Sequence, residues 1–132
     1  MSSTEEIDAE LVRAKKALLA AEILLNQGLL EDSISRSYYA ILHAAKAGLL
    51  LKNISVDSHE AVKNLFGLHL IKTGEIEKEY SIILREEQDD RLLADYNVNF
   101  IPQEDRVFRR LEDAKEFLHR IEKYLQDNSS RD

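Results

Sequence analysis

Apolar residues return every three or four positions along most of this chain. Ile7, Leu11, Ala14, Leu18, Ala21 and Leu25 follow a 4-3-4-3-4 spacing, one stripe of a helix. The spacing predicts a first helix over about Thr4 to Gln27, capped by Thr4, with Glu5 and Glu6 at its positive end and Gly28 closing it. A second helix is expected over about Leu30 to Lys52. Ile34, Tyr38, Ile41 and Ala45 repeat the stripe, and Tyr39, Leu42, Leu49 and Leu50 widen it. A helix apolar over so much of its circumference belongs in the middle of a bundle.

The polar link Asn53 to Asp57 leads to a third helix, about His59 to Lys72, capped by Asp57 or Ser58 and ended by Gly74. A fourth is expected over about Glu75 to Tyr96. It opens on Ile76, Tyr80 and Ile83 and becomes strongly charged from Arg85 to Arg91. Asn97 to Ile101 reads as a loop, with Pro102 in the first turn of the last helix. There Val107, Leu111, Ala114, Leu118, Ile121 and Leu125 form another stripe. Gly48 and Gly67 fall inside helices, where close packing is the expected reason. No useful strand alternation, repeat or linker interrupts the series. The expectation is all-α: an up-and-down antiparallel bundle of four to five helices in a single domain, 1–132, with 1–5 and 127–132 frayed.

Composition sharpens this picture. The chain has 132 residues, no cysteine, one proline and four glycines, which excludes a disulfide framework and disfavours a fold of many short turns. Net charge is −7, so no bulk positive field draws nucleic acid, and any such contact must depend on a few focused arginines. The longest apolar run, Ala47 to Leu51, is far too short to span a membrane, and the acidic N-terminus lacks a signal-peptide pattern. A cytoplasmic protein without membrane contact is expected.

Candidate chemistry is sparse. None of His43, His59, His69 and His119 has Glu three positions earlier, and His59-Glu60 is not followed by a second His at metal-binding spacing. No metal and no cofactor is expected. No phosphate loop and no serine elbow occur. Two stretches stand out. In Ser35-Arg36-Ser37-Tyr38-Tyr39-Ala40, polar and aromatic residues alternate inside a helix that should be buried, and Arg36 shares a face with Tyr39 and His43. These residues line a polar groove, or the rings fill the core while Arg36 and the hydroxyls find partners at its margin. Tyr38 fits the second reading better, whereas Arg36 and Tyr39 fit both. In Asp90-Arg91-Leu92-Leu93-Ala94-Asp95-Tyr96-Asn97, Arg91 and Asp95 are four apart and can pair. Arg106, Arg109 and Arg110, interleaved with acidic residues, read as a charge-mixed solvent face.

Together these stretches resemble the HEPN family, the higher-eukaryote and prokaryote nucleotide-binding domain, in its small stand-alone prokaryotic type. The likeness covers about residues 7 to 125 and rests on Ser35 through Ala47 and on Arg91-x-x-x-Asp95-Tyr96. It implies a bundle of four or five helices, a homodimer, and a minimal nucleotidyltransferase partner in a toxin–antitoxin type system. Active members of the family are metal-independent RNases that carry Arg, four to six residues, then His. Here the positions after Arg91 where His would fall are Tyr96, Asn97 and Val98. No imidazole stands there for proton transfer, and tyrosine is a poor base near neutral pH. Arg36 and His43 satisfy the spacing but lie in the second helix, away from the family's motif, so the match reads as chance.

Competent RNase activity is therefore not expected. The leading expectation is a dimerising module that binds a nucleotidyltransferase, a nucleotide or RNA through Arg36, Tyr39, Arg91, Asp95, Tyr96 and Asn97. The alternative is an RNase toxin with a variant site, Arg91 on the phosphate and Asp95 or Tyr96 on the 2′-hydroxyl. A third possibility is modification of Tyr96 by the partner.

Overall fold

The computed structural model describes residues 2–129. Five helices follow in order: α1 (Ser3–Asn26), α2 (Leu30–Leu50), α3 (His59–Phe66), α4 (Glu79–Tyr96) and α5 (Glu104–Ser129). No strand occurs among the described residues. The protein is an all-α bundle, and α2 is its central member, packed against all four of the others. Most of its 21 residues are buried, including Ile34, Tyr38, Ile41 and Leu49. Its neighbours bring Ala14, Ala17 and Ala21 from α1, Leu84 from α4, and Phe117, Ile121 and Tyr124 from α5. Small residues on both helices let α1 and α2 lie close, and the buried Ser33 hydroxyl donates to the Ala21 carbonyl, 2.7 Å away. Gly48 is also a close approach: a β-carbon there would stand 3.3 Å from Leu70 and 3.5 Å from Ile121.

Several boundaries differ from the sequence expectation, each for a local reason. Ser2 rather than Thr4 caps α1 by accepting the Glu5 N–H, so 3–5 are helical and not frayed. Residues 127–129 likewise continue α5, while 130–132 lie outside the described residues. Ser58 caps α3 through the Ala61 N–H. Past Phe66 the helix widens into one π-type turn, Gly67–Ile71. Gly67 opens that turn, and a β-carbon there would meet nothing within 4 Å, so close packing does not explain it. Residues 73–78 form a corner rather than the start of α4. Gly74 adopts a φ of 82° there, and the Glu75 carboxylate is held by Lys52, Thr73 and Tyr124. Ile76 turns inward as a core plug. Pro102 is buried and lies ahead of α5, which begins only at Glu104.

The last correction concerns charge. Arg106, Arg109 and Arg110 do not share a solvent face. Arg110 is only 7% exposed, and its Nε donates to Asp90 Oδ2 at 2.6 Å. Arg106 donates to the same carboxylate at 3.0 Å through Nε. The two arginines bind α5 to α4 through the buried Asp90.

Candidate functional site

α2 presents Ser35, Arg36, Tyr39 and His43 along its margin, and the last two turns of α4 run beside it with Arg91, Asp95 and Tyr96. Arg91 joins the helices. Its Nη2 donates to the Tyr39 hydroxyl at 2.9 Å, and its Nε lies 2.9 Å from Asp95 Oδ2 without the alignment of a hydrogen bond. The guanidinium sits 5.6, 5.5 and 5.6 Å from the ring centres of Tyr38, Tyr39 and Tyr96. Such cation–aromatic contacts fix a charge where water is scarce. Asp95 also accepts the Ser35 hydroxyl. The pair is thus no solvated surface bridge: the Arg91 side chain is 13% exposed, and its Nη2 is engaged by Tyr39 inside the protein.

The remaining expected residues are placed differently. Tyr38 is buried, and its hydroxyl shares a hydrogen bond of 3.0 Å with His59 Nδ1 at the start of α3. Burial pushes the Tyr38 phenol up to about 12, so it stays protonated. Burial, together with the charges of Arg91 and Lys46, lowers His59 below the usual histidine range. Tyr96 is 71% exposed at the rim. Asn97 stands apart: it ends α4, and its Oδ1 accepts the Asn99 N–H. Arg36 is exposed and lies over the Tyr39 ring, 4.7 Å from its centre. No carboxylate among the described residues pairs with it.

Two grooves meet at Arg36 and Tyr39. One is lined by Asp32, Ser35, Arg36, Tyr39 and Asp95. The other, about 550 Å³, runs between α1 and α2 and is lined by Arg13, Lys16, Ala17, Ala20, Arg36, Tyr39 and His43. Arg13 and Lys16 have no carboxylate partner among the described residues, and no carboxylate lines this second groove. Sequence reasoning missed both residues, along with Glu10 and His59. The helical spacing of Arg13, Lys16, Ala17 and Ala20 was visible, but nothing in the chain said that this face of α1 meets the Arg36 face of α2. Among the described residues no three His, Asp or Glu gather in a metal-binding group, and no helix is long and apolar enough to cross a membrane.

The model of the HEPN domain matches residues 9–124. The chain belongs to the HEPN family. Among its relatives, a protein of Methanocaldococcus jannaschii named "Putative toxin MJ0605" is 38% identical over 93% of this chain and 91% of its own length. A second protein of that organism, named "Putative toxin MJ0142", is 31% identical over 91% of this chain and 82% of itself. A Thermotoga maritima protein named "UPF0332 protein" is 31% identical over 87% of each chain. The match spans every residue of the two grooves, from Arg13 to Asp95.

Proposed function

We propose that this HEPN protein is a toxin-type module that binds a phosphate-bearing ligand, a nucleotide or RNA, at the junction of its two grooves. The observation that carries the reading is Arg36: an exposed guanidinium without a carboxylate partner among the described residues, held on the face of Tyr39. An unpaired cation on a chain of net charge −7 is poised for an anion, and its stacking on Tyr39 limits the freedom lost on binding. Arg91 and Asp95 act from behind. They set the Tyr39 hydroxyl and the end of α4, so the platform is rigid before the ligand arrives. Exposed Tyr96 borders the platform and is open to modification by a partner. The toxin names of two relatives support the toxin-type role. That the protein works as a homodimer alongside a minimal nucleotidyltransferase rests on the family resemblance alone.

The test is titration of the purified protein with ATP and with a short single-stranded RNA. Binding that is lost in Arg36→Ala, with the fold intact, supports the platform. No binding of either ligand overturns it. Light scattering decides the dimer, and co-purification with a nucleotidyltransferase encoded nearby decides the partner.

A further inference from the structure

One titratable side chain holds the first turn of α3 on the tyrosines of α2. His59 opens α3, and its ring packs against both of them, 5.5 Å from the centre of Tyr38 and, edge-on, 5.9 Å from that of Tyr39. The Tyr38 hydroxyl lies 3.0 Å from His59 Nδ1. Burial keeps this phenol protonated, and its hydrogen has no other acceptor among the described residues. Tyr38 therefore donates, Nδ1 carries the lone pair, and the neutral ring holds its proton on Nε2. A second proton would go to Nδ1 and set N–H against O–H. The surroundings oppose that proton as well. From α2 the ring meets Tyr38, Tyr39 and the charge of Lys46, and from α4 the charge of Arg91, whose own carboxylate neighbour is Asp95. It also stands at the positive end of α3, where a cation is disfavoured. The carboxylates nearest in the chain are engaged elsewhere, Asp57 with Lys46 at 3.6 Å and Glu60 with Lys63 at 3.4 Å. Burial, with Arg91 and Lys46, accordingly holds His59 below the usual histidine range. Farther along α3 the attachment changes in kind: Val62 and Phe66 are apolar and fully buried, so protons do not affect their grip.

We propose that His59 is a proton-operated latch: neutral, it fastens the first turn of α3 to Tyr38 and Tyr39, and protonated, it lets that turn and the link before it swing off the tyrosines. The open state frees His59 from the donor Tyr38 and moves its charge away from Arg91. In that state, as in the unfolded chain, the imidazole takes its proton in the ordinary range. The closed state takes it only at lower pH. The latch is therefore fully closed above the ordinary histidine range, and its hold fades as pH falls through the lowered value. Opening uncovers the α3 side of Tyr39, the ring that carries Arg36. Acid thus loosens one edge of the binding platform while Val62 and Phe66 keep the rest of α3 in the core. The latch stands independently of which ligand the platform takes.

The test uses the free protein and reads two signals by NMR between about pH 8 and about pH 4.5. One is the titration of the His59 ring. The other is amide-exchange protection at Ala61 and Val62, whose N–H groups bond to the Ser58 hydroxyl and carbonyl in the first turn of α3. Protection at Ile41, buried in α2, serves as the reference for global unfolding. In the wild type the His59 midpoint is expected below that of a free histidine. Protection at Ala61 and Val62 is expected to fall about tenfold or more through that midpoint, while Ile41 keeps its own. His59→Gln offers an oxygen to Tyr38 and cannot gain a proton, so its first turn should stay protected in acid. Tyr38→Phe removes the donor, and the His59 midpoint should rise toward the free value, a shift that loss of packing at another site would not produce. A wild-type midpoint at or above the free value overturns the latch. So does protection that is unchanged through the titration, an equal loss in His59→Gln, or a parallel loss at Ile41. No ligand is present, so failure here leaves the platform standing, and the ATP and RNA titrations at neutral pH decide the platform without bearing on the latch.

Discussion

Two arginine clusters in this protein look alike in sequence and do opposite things. Arg106 and Arg110 converge on one buried carboxylate, Asp90, with Glu86 and Asp113 close to Arg110. Arg13, Lys16 and Arg36 converge on a groove that no carboxylate lines. The first set is saturated: its charge is spent holding α4 to α5. The second has no carboxylate partner among the described residues, and Arg36 only stacks on Tyr39. Position on α4 makes the contrast sharper. Asp90 and Arg91 are adjacent, yet Asp90 turns to α5 and Arg91 turns to the tyrosines of α2. A cation becomes a binding site where folding leaves it accessible and without a partner, and the number of arginines nearby says little about that.

The comparison is most easily broken at Asp90. Its carboxyl is burdened by burial, but the hydrogen bonds from Arg106 and Arg110 prevail and hold it below the usual aspartate range. Asp90→Ala strands Arg110 in the interior, and a loss of about 3–5 kcal/mol in folding stability is expected by denaturant titration. The stability that Asp90 contributes is present above the ordinary aspartate range and fades as pH falls through its lowered value.

A second and opposite effect is expected one turn earlier. Glu87 is fully buried, and neither of its oxygens has a hydrogen-bond partner among the described residues. Burial pushes its carboxyl well above the usual range, against the pull of Arg110. Glu87→Met should therefore raise stability by about 1–2 kcal/mol at neutral pH. The unfolded chain ionises Glu87 in the ordinary range, while the folded chain resists ionisation until much higher pH. The penalty is absent in acid and grows as pH rises between those two values, so the gain from Glu87→Met should disappear at acid pH. A melting series across pH checks the sign.

Smaller still is the joint between α2 and α4. Ser35→Ala removes one donor from Asp95 but leaves Arg91 in place, for an expected cost of about 1 kcal/mol. At the open groove the stability effect should nearly vanish. Arg13→Ser with Lys16→Ser is expected to change unfolding by less than about 0.5 kcal/mol. The same pair should weaken RNA binding and flatten its salt dependence. Three phosphate contacts on a single strand give a logarithmic slope of about −2, and losing two leaves about −0.7. An unchanged slope would show that this groove does not carry the strand.

Much of the fold was legible along the chain because helical periodicity is local. The stripe from Ile7 to Leu25 and the broad apolar face of α2 named two helices and made α2 the central one. Boundaries were less legible, since they depend on distant partners. The corner at 73–78 is held by Lys52 and Tyr124, which no local spacing around Glu75 reveals. The Arg36 side of the site was visible as polar residues in a helix that should be buried. Its α1 wall was not, because Arg13 and Lys16 look like any exposed basic residues until α2 lies beside them. The pairing of Arg91 with Asp95 was also visible, but its enclosure by three tyrosines was not.

The sequence by itself determined the class of the molecule: five amphipathic segments, few breakers, no cysteine, and a family resemblance carried by α2 and the end of α4. Each of these depends on residues within a few turns of one another. Only the tertiary structure decided which charges are neutralised, because that is a question of which helix faces meet. Packing buried Arg110 on Asp90, set Arg91 behind Tyr39, and left Arg36 without an ion pair among the described residues at the junction of two grooves. It also brought Glu10 to His43 across 33 residues of chain. Coulomb attraction and hydrogen bonding act over a few ångströms in space, and separation along the chain does not report that distance.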